Sequence, residues 1–235
     1  MSLCQRSTQR DVDNGSAGTQ PADAGAVAAP WVMHALGLVL YASHAGCAVH
    51  HLDPPLPARG AVATPGVADM HETYTVRGRQ PESVRRALNQ RSTWRDATGE
   101  RFDGGTTWSL HWRHTFETAA EGCRIVGLAF SGTVTVTTPS LRTWHRTDPK
   151  LGNRWTAYLV ALWGHEQHHV DRVHAAIDEA RAAVVQLPAQ STCAAAGTAA
   201  NDAVQTVFAA MNIDQVAYDT ATHHGQLEGA FWDTP

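Results

Sequence analysis

The chain has 235 residues, of which 43% are hydrophobic and 17% charged, a balance that suits one substantial globular domain with appendages. Its net charge is −4 and its isoelectric point about 6.4, so no overall basic field marks it as a nucleic-acid binder. No run of 18 apolar residues is present to span a membrane as a helix.

Residues 1 to 30 are rich in Ser, Gly, Ala, Asp and Gln. Such a segment buries too little apolar surface to offset its ordering entropy, and it reads as disordered. A short apolar run over residues 31 to 42 follows, then Ala45-Gly46-Cys47. This resembles a bacterial export signal of the lipoprotein type, in which Cys47 is lipidated and anchors the protein to a membrane. His44 departs from the usual leucine, and the nearest upstream arginine, Arg10, is distant. Residues 51 to 70 hold four prolines and read as a linker. The expected division is a leader, signal and linker over 1–69 and a folded domain over 70–235.

Within the domain, "HETYTVRG" predicts a strand. "PESVRRALNQRS" predicts a short helix opened by Pro81. Seven arginines between Arg77 and Arg101 are diluted by Glu82, Asp96 and Glu100, and read as a solvated face. "TTWSLHWRHTFET" alternates, with Trp108, Leu110, Trp112 and Phe116 on one face. "CRIVGLAFSGTVTVTTP" alternates too, with Val126, Leu128, Phe130, Val134 and Val136 in phase. A short turn at Ala119 to Gly122 joins the two as an antiparallel hairpin.

From Asn153 the period lengthens. Trp155, Leu159, Leu162, Val170, Val173, Ile177, Ala180, Val184 and Leu187 step by three and four to Pro188, the pattern of a long amphipathic helix. A second such pattern runs from about Ala194 to Thr222, with Gln215 and Tyr218 in phase with its apolar residues, and Gly225 ends it. The expected fold is α+β: a small antiparallel sheet with a short helix, then two long antiparallel helices.

The first long helix carries "GHEQHHVDR", in which His165, Glu166 and His169 match H-E-x-x-H. At about 100° per residue, His165 and His169 share one flank and Glu166 falls on the apolar stripe. An unpaired carboxylate there is costly. His168 points away to solvent, and His174 lies too far round to join the same ion. Two imidazoles one turn apart suit Zn2+, with a third ligand from elsewhere and a water in the fourth position. Glu166 is then the base that deprotonates that water.

At this point the chain resembles a family of secreted bacterial zinc-dependent proteases, predicted as such from the motif and known mainly as a domain of unknown function. The resemblance covers most of residues 70 to 232. It rests on "YTVRG", the tryptophan-rich strand, "EGCRIVGLAFSGTVTVTTP", "RWTAYLVALWGHEQHH" and "YDTATHHGQLEGAFW". The chain departs from it at His168, where the family usually has glycine.

The candidates for the third ligand are His223, His224, Asp219 and Glu228. Counting helical rise favours Asp219, whereas the family pattern favours His224. With His224 as ligand, Tyr218 is expected to serve the developing oxyanion and Asp219 to orient a ligand histidine. With Cys4 and Cys47 in the leader, Cys123 and Cys193 remain to form a disulfide, and the resemblance aligns both with family cysteines.

The function implied is an exported zinc metallopeptidase acting on peptide or protein substrates in the periplasm, the envelope or outside the cell. The alternatives are a zinc amidase on cell-wall peptide and a catalytically inactive zinc-bound scaffold, in which Glu166 is dispensable.

Overall fold

The structure, a computed structural model, describes residues 56–57, 64–95, 99–142 and 148–234. The leader, the apolar run, Cys47 and most of the linker lie outside the described residues. Among the described residues, no helix is long and apolar enough to cross a membrane.

The element order is β1 (Val67–Val76), α1 (Pro81–Arg91), β2 (Gly105–Ala119), β3 (Gly122–Leu141), α2 (Pro149–Val185), α3 (Cys193–Thr222) and a 3-10 turn (Gln226–Glu228). The α+β plan is as expected, with one difference. The sheet is mixed, not antiparallel throughout. Its order is β1-β3-β2, with β1 parallel to β3 from Val67↔Gly132 to Val76↔Leu141. β2 pairs antiparallel with β3 as the hairpin predicted. Because the chain passes through α1 between β1 and β2, β1 is free to join the far edge of β3 in the same direction. Alternation within β1 carries no record of that partner.

The hairpin also breaks its own phase. The register shifts between Thr115 and Phe116: Thr115 faces Gly127 and Phe116 faces Ile125. Val126 is therefore the extra residue of a β-bulge. It is 47% exposed, while Ile125, Leu128 and Phe130 are buried. The even-numbered face expected for β3 holds only beyond the bulge.

α2 begins earlier than its apolar period suggests. Asp148 caps it by accepting from the Lys150 backbone N–H at 2.7 Å, and Pro149 occupies the first helical position. Its 37 residues span about 55 Å at 1.5 Å each. α3 runs beside it in the opposite direction: His165, His169 and Arg172 of α2 meet Asp219, Gln215 and Asp214 of α3 in reverse order.

Two apolar clusters flank this helix pair. One joins Leu128, Phe130, Val134 and Val136 of β3 to Val173, Ile177 and Val184 of α2 and to Val204, Phe208 and Met211 of α3. The Cys123–Cys193 disulfide ties the hairpin to the start of α3 in this half, as expected. The other cluster packs α1, the first turns of α2 and the C-terminal segment around Trp155, Tyr158 and Trp232.

The fold begins a little before residue 70. Thr64 is buried, and its Oγ1 lies 2.6 Å from Nδ1 of His174, whose Nε2 lies 2.8 Å from Asp69. His174 thus pins the entry to β1 onto α2, away from the H-E-x-x-H flank as the helical wheel required.

Candidate metal centre

His165 and His169 stand one turn apart on α2 with their Nε2 atoms 3.3 Å from each other. Asp219 of α3 places Oδ1 3.2 Å from Nε2 of His165 and 3.0 Å from Nε2 of His169. These three form the one group among the described residues with the donors to hold a metal ion. Tetrahedral coordination at 2.0–2.1 Å puts neighbouring donors about 3.3–3.4 Å apart, close to the spacings seen here. The residues present fit a zinc ion.

The other ring nitrogen of each histidine is occupied. His165 Nδ1–H donates to Glu228 Oε2 at 2.9 Å, and His169 Nδ1–H donates to Gln215 Oε1 at 2.7 Å. With both Nδ1 atoms donating, the two Nε2 atoms are left facing Asp219, and they offer a metal their lone pairs once they give up their protons.

Without a cation in the pocket, the two histidines lean toward their protonated forms. Burial works against charge on His165 and His169, yet hydrogen bonds with Asp219 and the nearby Glu166 charge outweigh it and raise both above the ordinary histidine value. Burial would raise Asp219, but its bonds to the two histidines dominate and hold it well below the usual carboxylate range. The pocket favours positive charge.

Glu166 lies buried on the stripe as the wheel placed it, and accepts from Thr106 Oγ1 at 2.8 Å. Burial pushes its proton affinity up, against the lowering effects of His169, His165 and the Thr106 bond. A carboxylate so placed takes a proton more readily than an exposed one.

The structure places the other expected site residues differently from the family pattern. His224 is not in the donor group: Asp219 stands there in its place. α3 runs helical to Thr222, so Asp219 reaches the histidines by helical rise alone. His223 and His224 then adopt left-handed backbones at φ 50° and 53°. His224 Nδ1 ends 3.8 Å from Asp219 Oδ2, and its ring packs on Phe102 at 4.2 Å between centroids. Asp219 thus faces the two Nε2 atoms and not the Nδ1 atoms behind them. Tyr218 differs too. Its hydroxyl donates to Glu228, at 2.9 and 3.0 Å from the two carboxylate oxygens. His168 is exposed as expected, but its ring stacks on Tyr218 at 3.7 Å, because its 60° offset from His165 leaves it on the flank.

The C-terminal segment holds this arrangement. Gly225 has φ 78°, and a side chain there would meet Cγ of the His165 ring at 2.9 Å, so only glycine allows the close approach. Trp232 is fully buried, and its indole N–H donates to Pro81 O at 3.0 Å. Arg85 forms an ion pair with Asp103 and donates to Trp232 O at 3.3 Å. It thus joins this segment to the loop that leads into Thr106. A solvated face was expected for the arginine-rich stretch, and Arg85 departs from it.

Thr106 and Gln215 were not recognised as site residues from sequence. Signals for both exist: Thr106 shares the alternation of Trp108 and Leu110, and Gln215 is an amide in phase with an apolar stripe.

A bacterial family of unknown function, DUF922, matches residues 71–225. The chain belongs to the DUF922 family. Its match spans β1 to Gly225 and includes His165, Glu166, His169 and Asp219, while Glu228 and Trp232 lie beyond it. No curated protein and no solved structure matches the chain.

Proposed function

We propose that this DUF922 member is an exported zinc-dependent peptidase. The observation that carries the reading is the convergence of two imidazole Nε2 atoms and one carboxylate oxygen within 3.3 Å of one another, one helical position from a buried glutamate. Zinc held by His165, His169 and Asp219 supplies a Lewis acid and lowers the pKa of a water it binds toward about 7.

The chain's own residues do the rest. Glu166 takes the proton of the attacking water and passes it to the leaving amine. Thr106 holds the Glu166 carboxylate in one orientation by its 2.8 Å bond. The apolar surroundings of Glu166 keep bulk water away and strengthen these interactions. β2, which carries Thr106, lies at the edge of the sheet. An extended peptide adds to such an edge by backbone hydrogen bonds, which favours peptides as the substrate class. The Cys123–Cys193 disulfide supports export, because such bonds persist in oxidising compartments.

Glu166→Gln tests the reading. It keeps the acceptor for Thr106 but removes the base. The variant is expected to fold and bind zinc, and to hydrolyse a mixed peptide library at least about 10²-fold more slowly, read by mass spectrometry. Parent-like hydrolysis by the variant would refute Glu166 as the base, and no hydrolysis by the zinc-loaded parent would refute the peptidase assignment and leave a zinc-bound scaffold.

A further inference from the structure

We propose that Tyr218 and Glu228 form a positioning pair that fixes the tautomer and orientation of His165, and that Tyr218 stabilises no oxyanion. This rests on the zinc reading and adds to it the part played by residues that donate no ligand atom.

The geometry forms one chain of contacts. Tyr218 O–H donates to both oxygens of Glu228. Glu228 Oε2 accepts from His165 Nδ1–H at 2.9 Å. The Tyr218 ring lies nearly parallel to the His165 ring, with centroids 5.0 Å apart and 18° between planes. The His168 ring stacks on it as well, at 3.7 Å and 20°. A phenol stacked on two imidazoles, with its hydroxyl already bound to a carboxylate, is not aimed at a substrate carbonyl.

What it does is brace Glu228. That residue sits on the 3-10 turn Gln226–Glu228, entered through the left-handed His223, His224 and Gly225 and followed by the buried Trp232. Glu228 is part-exposed, with its side chain 39% accessible. Without the Tyr218 bond its carboxylate has other rotamers open to it. The equivalent partner of His169 is Gln215, buried and carried by α3 itself. The two ligand histidines therefore have unlike supports: a rigid amide for one, and for the other a surface carboxylate that needs a brace. His168 adds to that brace by stacking on the Tyr218 ring.

The test measures zinc affinity of the full chain by competition with a chromogenic chelator, together with the tautomer of His165 by imidazole 15N NMR. Glu228→Ala should weaken zinc about 10–100-fold, the usual cost of losing a partner behind a ligand histidine. Glu228→Gln should stay within about threefold of the parent, because an amide oxygen already serves His169. Tyr218→Phe should weaken zinc several-fold and blur the His165 tautomer, yet keep kcat near the parent at saturating zinc. A fall of about 10²–10³-fold in kcat for Tyr218→Phe, with zinc affinity unchanged, would show an oxyanion donor and overturn the proposal. Equal zinc affinity in the parent and Glu228→Ala would overturn it as well, while leaving the metal site standing. A parent that binds no zinc would remove the proposed function and this pair with it.

Discussion

The two ends of the α2–α3 pair are held together by different forces. At the far end, Val173, Ile177, Ala180 and Val184 pack against Ala196, Ala200 and Val204, and Cys123–Cys193 adds a covalent tie. Those groups gain from being close whatever the solution contains. At the near end, His165, His169 and Asp219 are drawn together as polar groups whose imidazole Nε2 atoms face inward. In the proposed function, a cation completes that end. One helix pair thus combines a half held by apolar packing and a disulfide with a half where polar donor atoms converge, and the proposed function places its chemistry in the second.

The largest expected effect separates the ends. Replacing both Cys123 and Cys193 with serine should lower stability by about 2–4 kcal/mol, read by thermal or urea unfolding of the zinc-loaded protein. Zinc affinity should stay as in the parent, because Cys193 opens α3 whereas Gln215 and Asp219 stand near its other end. A matching loss of zinc would show that the ends are coupled.

Withdrawing zinc should act on the near end. With free zinc at about 100 times its dissociation constant, the metal stabilises the fold by about 2.7 kcal/mol. A chelator should therefore lower the unfolding midpoint of the parent, and no longer do so in His169→Ala. An equal response in both would mean that the metal acts elsewhere.

Acid should loosen the same site by a smaller step. Zinc takes neutral imidazoles, and His165 and His169 both hold protons above the ordinary value of about 6.5. A raised value means that protons compete sooner as pH falls. Affinity should be full in alkaline solution and decline through and below that range, approaching about tenfold per pH unit for each imidazole that takes a proton. Asp219, held low, adds nothing to this slope. Affinity constant between pH 8 and pH 5 would contradict the ligand set.

The difference between the ends also governs what the sequence alone could convey. Packing repeats along a helix, so the period of α2 and α3 showed in the apolar residues, and α3 was placed within one residue at its start. The H-E-x-x-H face was legible for the same reason, since helical geometry fixes where His165, Glu166 and His169 stand relative to one another. What crosses between elements was not legible. Alternation in β1 gave no parallel partner, and the bulge at Val126 depends on how β2 and β3 align. Asp219 and His224 differ by five residues, and the choice between them turned on whether α3 stays helical to its end. Arg85 looked like one more surface arginine because its partner, Asp103, lies in a loop without period.

The third ligand is the most direct test of the account. Zinc affinity should be measured for Asp219→Ala and His224→Ala beside the parent, under the same chelator competition. The account predicts that Asp219→Ala loses more than the 10–100-fold that a partner behind a ligand is worth, and that His224→Ala binds zinc as the parent does. The reverse, with His224→Ala losing the metal and Asp219→Ala keeping it, would contradict the centre described here.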